Sequence, residues 1–157
     1  PPPPVLFRCD FPWDIVVAIP SLTGASGKRE VDIFRRECPI PIGEVRELSH
    51  IILMKMLPSL IEKDMETFGD SLNRVQDVGF KKRELALQDA SVKKLLQVML
   101  DAGACGAGMS SFGPTVFGIS DTPDDVKQAV EEHLEESGGG IAFVTRPNNT
   151  GARFHDD

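Results

Sequence analysis

Apolar and polar positions fall into blocks of two periodicities along this chain. Three short runs read as strands. Residues 14–20 (Asp-Ile-Val-Val-Ala-Ile-Pro) form an unbroken β-branched run of the kind found in a strand covered on both faces. Residues 115–119 and 141–145 are two more, and residues 5–8 offer a short fourth after a run of prolines. Between the first strand and the later two, the spacing changes to three and four. Residues 28–37 read as a short charged helix with Val31, Ile33 and Phe34 as its apolar contacts. Residues 43–63 hold the longest helical pattern, with Val45, Leu48, Ile52 and Met56 on one stripe. From Ile51 to Leu57 that helix is apolar nearly all round, which calls for burial on most sides. Pro58 cannot donate to the carbonyl of Met54, so a kink or a split is expected there. Asp64 is a good N-cap for a helix with Met65, Phe68, Leu72 and Val75 on its inner face, and Gly79 is its stop. Residues 80–87 mix basic and apolar positions and read as a connection. Residues 91–102 return to helical spacing through Val92, Leu95, Leu96 and Met99. Thr122-Pro123-Asp124-Asp125 opens a last helix, with Thr as cap, Pro at the first position and two acids at the positive end of the dipole. Its stripe is Val126, Ala129, Val130 and Leu134, and Gly138 to Gly140 stop it.

Strands at the ends and helices in the middle define an α+β class. The final strand–helix–strand unit favours a parallel pair with a right-handed crossover. The whole resembles a ferredoxin-like sandwich with extra helices inserted after an early strand. The 157 residues suit one domain, 1–157, with Pro1 to Pro4 as a linker remnant. A start in four prolines without Met leads us to expect a longer polypeptide with a domain upstream.

Composition narrows the function classes. A formal net charge of −7 argues against a nucleic-acid footprint, and the absence of Tyr argues against a base-stacking platform. Three cysteines without a Cys-x-x-Cys pair speak against a disulfide framework and a structural zinc site, and make a reducing cytoplasm the simplest home. No apolar run approaches the roughly 18 residues of a membrane span.

The candidate chemistry centres on residues 104–114, Ala-Cys-Gly-Ala-Gly-Met-Ser-Ser-Phe-Gly-Pro. Read as a loop, its glycines allow close approach to the main chain, and its amides with Ser110 and Ser111 suit a phosphate. The alternative is a tight helix-to-strand connection. Cys105 reads as a small buried filler rather than a reactive thiol. Lys28 and Arg29 open a helix after a flexible Gly/Ser/Thr loop, where cations oppose the dipole; an anionic ligand or ordinary surface cations both account for them. Arg146-Pro147-Asn148-Asn149 leaves the last strand, with turn-making as the Asn role. His50 reads as a packed core histidine, and Trp13 as a plug at the sheet end, with ligand stacking as its alternative. No histidine has metal-ligand spacing, and no Ser/His/Asp set can be placed.

Residues 106–116 resemble the third conserved motif of the superfamily of galactokinase, homoserine kinase, mevalonate kinase and phosphomevalonate kinase. Together with Phe11-Pro12-Trp13-Asp14, Leu48-Ser49-His50, Met54-Lys55-Met56-Leu57-Pro58 and Arg146-Pro147-Asn148-Asn149, they resemble the C-terminal half of the archaeal β-ribofuranosylaminobenzene 5′-phosphate synthase family, over about residues 4–154. The resemblance implies the C-terminal fold of those kinases, with the N-terminal domain as partner. It also implies condensation of phosphoribosyl pyrophosphate with 4-aminobenzoate or 4-hydroxybenzoate, releasing carbon dioxide and pyrophosphate, early in methanopterin biosynthesis. Mg²⁺ bound through the pyrophosphate is expected. The phosphate-binding set expected from the motif and the loop reading is Gly106, Ala107, Gly108, Met109, Ser110, Ser111 and Gly113, joined by Lys28 and Arg29; no catalytic acid or base is assigned. An ATP-dependent small-molecule kinase and a non-catalytic homodimerisation module are the competing readings. Gly108→Val and Ser110→Ala are both expected to lower turnover with the fold mostly intact.

Overall fold

The structure is a computed structural model that describes residues 7–22 and 28–151, with the side chains of Lys28 and Arg29 outside the description. Along the chain run β1 (Ile15–Pro20), α1 (Lys28–Glu37), α2 (Ile42–Ile51), a π-helical turn (Ile52–Met56), α3 (Leu57–Glu62), α4 (Met65–Gln76), α5 (Gly79–Ala86), α6 (Ala90–Asp101), β2 (Gly106–Met109), β3 (Val116–Ile119), α7 (Pro123–Glu136) and β4 (Gly140–Thr145). The four strands form one antiparallel sheet in the order β2-β3-β1-β4. This is the ferredoxin-like order with helices inserted after β1. β3 and β4 run parallel to each other, as the strand–helix–strand unit implied, but they are not paired. β1 lies between them and is antiparallel to both. Residues 5–6 of the expected first strand lie outside the described residues, and Phe7 and Arg8 are not in a strand.

One face of the sheet carries the main core. Val16 and Ala18 of β1, Val116 of β3 and Ala107 and Met109 of β2 point onto the expected stripes of α6 (Val92, Leu95, Met99) and α7 (Val126, Val130, Leu134). At about 25 cal/mol per Å² of apolar surface removed from water, each buried Val, Leu or Met among them stabilises the fold by roughly 1.5–3 kcal/mol.

Several local expectations are corrected. The strain at Pro58 is absorbed one turn earlier: the backbone widens into the π turn, where the Leu57 N–H bonds to the Ile52 carbonyl. The extra residue rotates the following helix face by about 100°. Ile51, just before the turn, is buried, whereas Leu53 and Met54 within it are 61% and 67% exposed, against the expected burial on most sides. Residues 80–87 are mostly helical, as α5. No apolar stripe announces this helix; Arg83 ties it to Glu44, Lys81 to the carbonyls of Met109 and Ser111, and Phe80 to Phe34. His50 is exposed near the end of α2, not packed in a core. At α7, Thr122 holds the cap position without a side-chain bond; its carbonyl receives the N–H groups of Asp125 and Val126.

Candidate functional site

The glycine-rich segment divides in two. Its first half is not a loop. Gly106 to Met109 form β2, all four residues buried, at one edge of the sheet. Helix α4 closes that edge. A Cβ on Gly69 would stand 2.4 Å from the Cys105 carbonyl carbon and oxygen, and one on Gly106 would stand 2.6 Å from the Gly69 Cα. The two backbones touch, so only glycine fits on either side. Further along α4, Asn73 Oδ1 accepts the Ala107 N–H at 2.9 Å, and its Nδ2 donates to the Cys105 carbonyl at 3.3 Å. Gln76 Oε1 accepts the Met109 N–H at 3.2 Å. Two side-chain amides on one helix therefore do what a neighbouring strand would do. Gly108 belongs to the same packing, since a Cβ there would meet Gln76 Nε2 at 2.9 Å and the Phe117 ring at 3.1 Å. The amides of Ala107 and Met109 are thus spent within the protein, and the glycines admit a helix rather than a ligand. Gly108→Val would disturb this packing and is no clean probe of chemistry.

The second half is a turn, Ser110 to Pro114. The Ser110 N–H bonds to Thr115 O at 2.9 Å and the Gly113 N–H to Ser110 O at 2.9 Å. Ser111 has φ +47° and Gly113 φ +66°. A non-glycine residue in the left-handed region costs about 1–2 kcal/mol and signals an imposed shape. What imposes it is α5 and the residue beyond it. Lys81 Nζ donates to Met109 O at 3.3 Å and Ser111 O at 3.2 Å, and Gln88 Nε2 donates to Phe112 O at 2.9 Å. The Phe112 side chain is buried, edge-on to Phe34 of α1 and Phe80 of α5, which stack on each other at 4.5 Å. In a trans peptide the N–H points opposite to the preceding carbonyl. Lys81 on the Ser111 carbonyl therefore leaves the Phe112 N–H aimed away from α5. Among the described residues neither it nor the Ser111 N–H has an acceptor. The Ser110 and Ser111 residues are exposed.

Phe34 ties α1 to this turn, so the helix opened by Lys28 and Arg29 packs beside it; their side chains lie outside the description. Asn73, Gln76, Lys81 and Gln88 were not singled out from sequence. Gly69, Asn73 and Gln76 do carry a signal: they sit at i, i+4 and i+7, a glycine and two amides on a helix face that should be apolar. Cys105 is partly buried, and burial pushes its thiol up, away from reactive thiolate. Trp13 packs on Phe11 and Phe68 at ring distances of 5.3 and 5.2 Å, as a plug. Asn148 makes a turn with Thr150 and Gly151, whereas Asn149 pairs with both backbone groups of Phe11. Among the described residues no group of three His, Cys, Asp or Glu side chains could hold a metal ion. No described helix is long and apolar enough to cross a membrane.

The model of one family, "GHMP kinases C terminal", matches residues 56–139, which run from the end of the π turn through the glycine–serine turn to α7. The chain belongs to that family. Within it, the chain is 49% identical over 155 residues to a protein named beta-ribofuranosylphenol 5'-phosphate synthase from Methanothermobacter thermautotrophicus, covering 96% of this chain and 46% of that protein. A protein of the same name from Methanocaldococcus jannaschii is 40% identical, with 98% and 46% covered. Among solved structures, homoserine kinase from Cytophaga hutchinsonii superposes with a TM-score of 0.73 at 18% identity, over 90% of this chain and 44% of that one. The chain thus spans about half the length of the relatives it matches.

Proposed function

We propose that this chain is the C-terminal half of a transferase that condenses phosphoribosyl pyrophosphate with 4-hydroxybenzoate or 4-aminobenzoate. The observation that carries the reading is the 49% identity to a beta-ribofuranosylphenol 5'-phosphate synthase over nearly the whole chain, against 18% to a kinase of like fold. A phenol product favours 4-hydroxybenzoate as the aromatic acid. The C1–oxygen bond of the sugar breaks and pyrophosphate leaves with the electron pair. The ring carbon bearing the carboxylate attacks C1, and the carboxylate departs as carbon dioxide, returning its electrons to the ring. The step belongs to methanopterin biosynthesis, in the cytoplasm.

In this reading the turn Ser110–Gly113 supplies fixed donors to phosphate oxygens: the Ser111 and Phe112 N–H groups and the two serine hydroxyls. Donors held in place before charge develops are worth about 3–4 kcal/mol each in a dry site. Gly106 to Met109 fix the position of that turn, and Lys28 and Arg29 offer positive charge from α1. A Mg²⁺ accompanying pyrophosphate would bind through the diphosphate oxygens. The test fuses the N-terminal half of the Methanothermobacter relative ahead of this chain. The fusion should release labelled carbon dioxide from carboxyl-labelled 4-hydroxybenzoate only when phosphoribosyl pyrophosphate is present. A folded fusion that instead transfers phosphate from ATP to a small alcohol overturns the proposal in favour of a kinase.

A further inference from the structure

One buried charge has no part in the chemistry above. It is Glu84 of α5, whose side chain is 8% exposed. A buried carboxylate is costly unless a partner holds it. Among the described residues its charged partner is Lys81, one turn earlier on the same helix. The Lys81 ammonium has three N–H donors and no acceptor. Three oxygens surround it: the Glu84 carboxylate, the Met109 carbonyl at 3.3 Å and the Ser111 carbonyl at 3.2 Å. All three donors are thus spent inside the protein, and Lys81 is no ligand for an incoming anion. The carboxylate also matches the charge of the ammonium, so what the pair gives the turn is direction rather than charge.

The two carbonyls stand on either side of Ser110, so one ammonium fixes two peptide planes, Met109–Ser110 and Ser111–Phe112. The first has a second tie, from the Ser110 N–H to Thr115 O. The other has none among the described residues: its N–H has no acceptor, and Gln88 grips the next carbonyl, that of Phe112. Turns of types I and II differ by the rotation of one such plane. A rotated Ser111–Phe112 plane would show an anion its carbonyl oxygen in place of its N–H. We propose that Glu84 is a positioning residue. By aiming the Lys81 ammonium at these carbonyls, it keeps the Phe112 N–H turned outward, to the phosphate oxygens of the substrate; the inference rests on the reading of this turn as the phosphate-facing part of a phosphoribosyl transferase.

Residual dipolar couplings report the direction of the Phe112 N–H in this chain without any substrate. In Glu84→Met that direction should change or average out, while the couplings of Ala107 and Met109 in β2 are kept. In the fusion described above, Glu84→Met should lower kcat/KM for phosphoribosyl pyrophosphate about tenfold and leave KM for 4-hydroxybenzoate within about twofold; a general loosening would move both. Glu84→Gln keeps the length and one acceptor oxygen, and should restore most of the loss. In a Lys81→Met background, Glu84→Met should lower nothing further, because the carboxylate acts through the ammonium. That double variant replaces the whole pair by apolar chains, a change buried pairs tolerate, so it carries the test if Glu84→Met folds poorly. It too should show a turned Phe112 N–H and the tenfold loss. A Phe112 N–H that keeps its direction in both variants overturns the proposal, whatever the turnover. So does an equal loss from Glu84→Met with and without Lys81. If the parent fusion releases no carbon dioxide, the functional reading falls and the couplings alone decide the positioning. A turned N–H with unchanged kinetics would sink both, by removing the turn from the phosphate site.

Discussion

The two edges of the sheet solve the same problem in opposite ways. At the β2 edge the strand is four residues long, every position is buried, and α4 lies against it backbone to backbone with Asn73 and Gln76 receiving its amides. At the β4 edge six residues display Ile141 and Phe143 to solvent. One edge is closed by α4; at the other, the described residues leave large apolar side chains exposed. The difference shows what a glycine-rich motif can be for. Its first half lets a helix in, whereas the turn beyond it leaves the Ser111 and Phe112 N–H groups without an acceptor among the described residues.

The sharpest way to break this contrast is to push the β2 edge open. Gly106→Val places its Cβ 2.6 Å from the α4 backbone at Gly69, where no flexible side chain can yield. We expect a loss of about 3 kcal/mol or more in urea unfolding, at the upper end of overpacking costs. A loss below about 1 kcal/mol would mean the helix does not hold that edge. Asn73→Leu comes next. It leaves the Ala107 N–H and the Cys105 carbonyl without partners, at about 1–3 kcal/mol each. Asn73→Asp should restore the acceptor alone, so hydrogen exchange at Ala107 should slow again while stability recovers only in part.

The turn should respond in the reverse sense. Ser111→Gly removes a hydroxyl and the cost of φ +47° together. Stability should rise by about 1 kcal/mol, while turnover of the active fusion falls at least tenfold if the hydroxyl touches substrate. A variant that is both more stable and fully active would take Ser111 out of the site. At the β4 edge, Ile141→Lys should change the stability of the chain alone by no more than about 0.5 kcal/mol, because that side chain is already 59% exposed.

Much of this was legible from sequence because it depends on local chemistry. The helix 28–37 and the run 15–20 follow from spacing and from Pro20. The inward stripes of α6 and α7 follow from the three-and-four periodicity. What was not legible depends on contacts across the chain. α5 has no stripe, since Arg83 and Lys81 hold it through charge to partners 39 and 28 residues away in sequence. The role of Gly106 needed Gly69, 37 positions earlier, and the edge-capping amides look like ordinary polar helix residues until β2 is beside them. The turn 110–114 stands out in the sequence through its glycines and serines, but the carbonyl anchors that shape it do not.

The smallest expected effect concerns the helical insertion. Arg83 grips Glu44 at 2.7 and 3.1 Å, and the Gly79 N–H adds a third bond at 3.0 Å. The Arg83 hydrogen bonds, aided by its charge and by the Gly79 N–H, hold the Glu44 carboxyl below its usual range, outweighing partial desolvation. A carboxyl whose folded pKa lies below its unfolded value adds stability above the unfolded pKa, and that contribution is lost as pH falls through the folded one. The urea midpoint should therefore decline as pH drops below the ordinary glutamate range near 4.3. Asp64 and Asp89, also held low by backbone N–H groups, share that decline, so the informative quantity is the difference between parent and Glu44→Gln. The variant should be less stable at neutral pH and converge with the parent in acid. Parallel curves at all pH values would show that the clamp acts through shape and packing, and that the helical insertion does not depend on this charge.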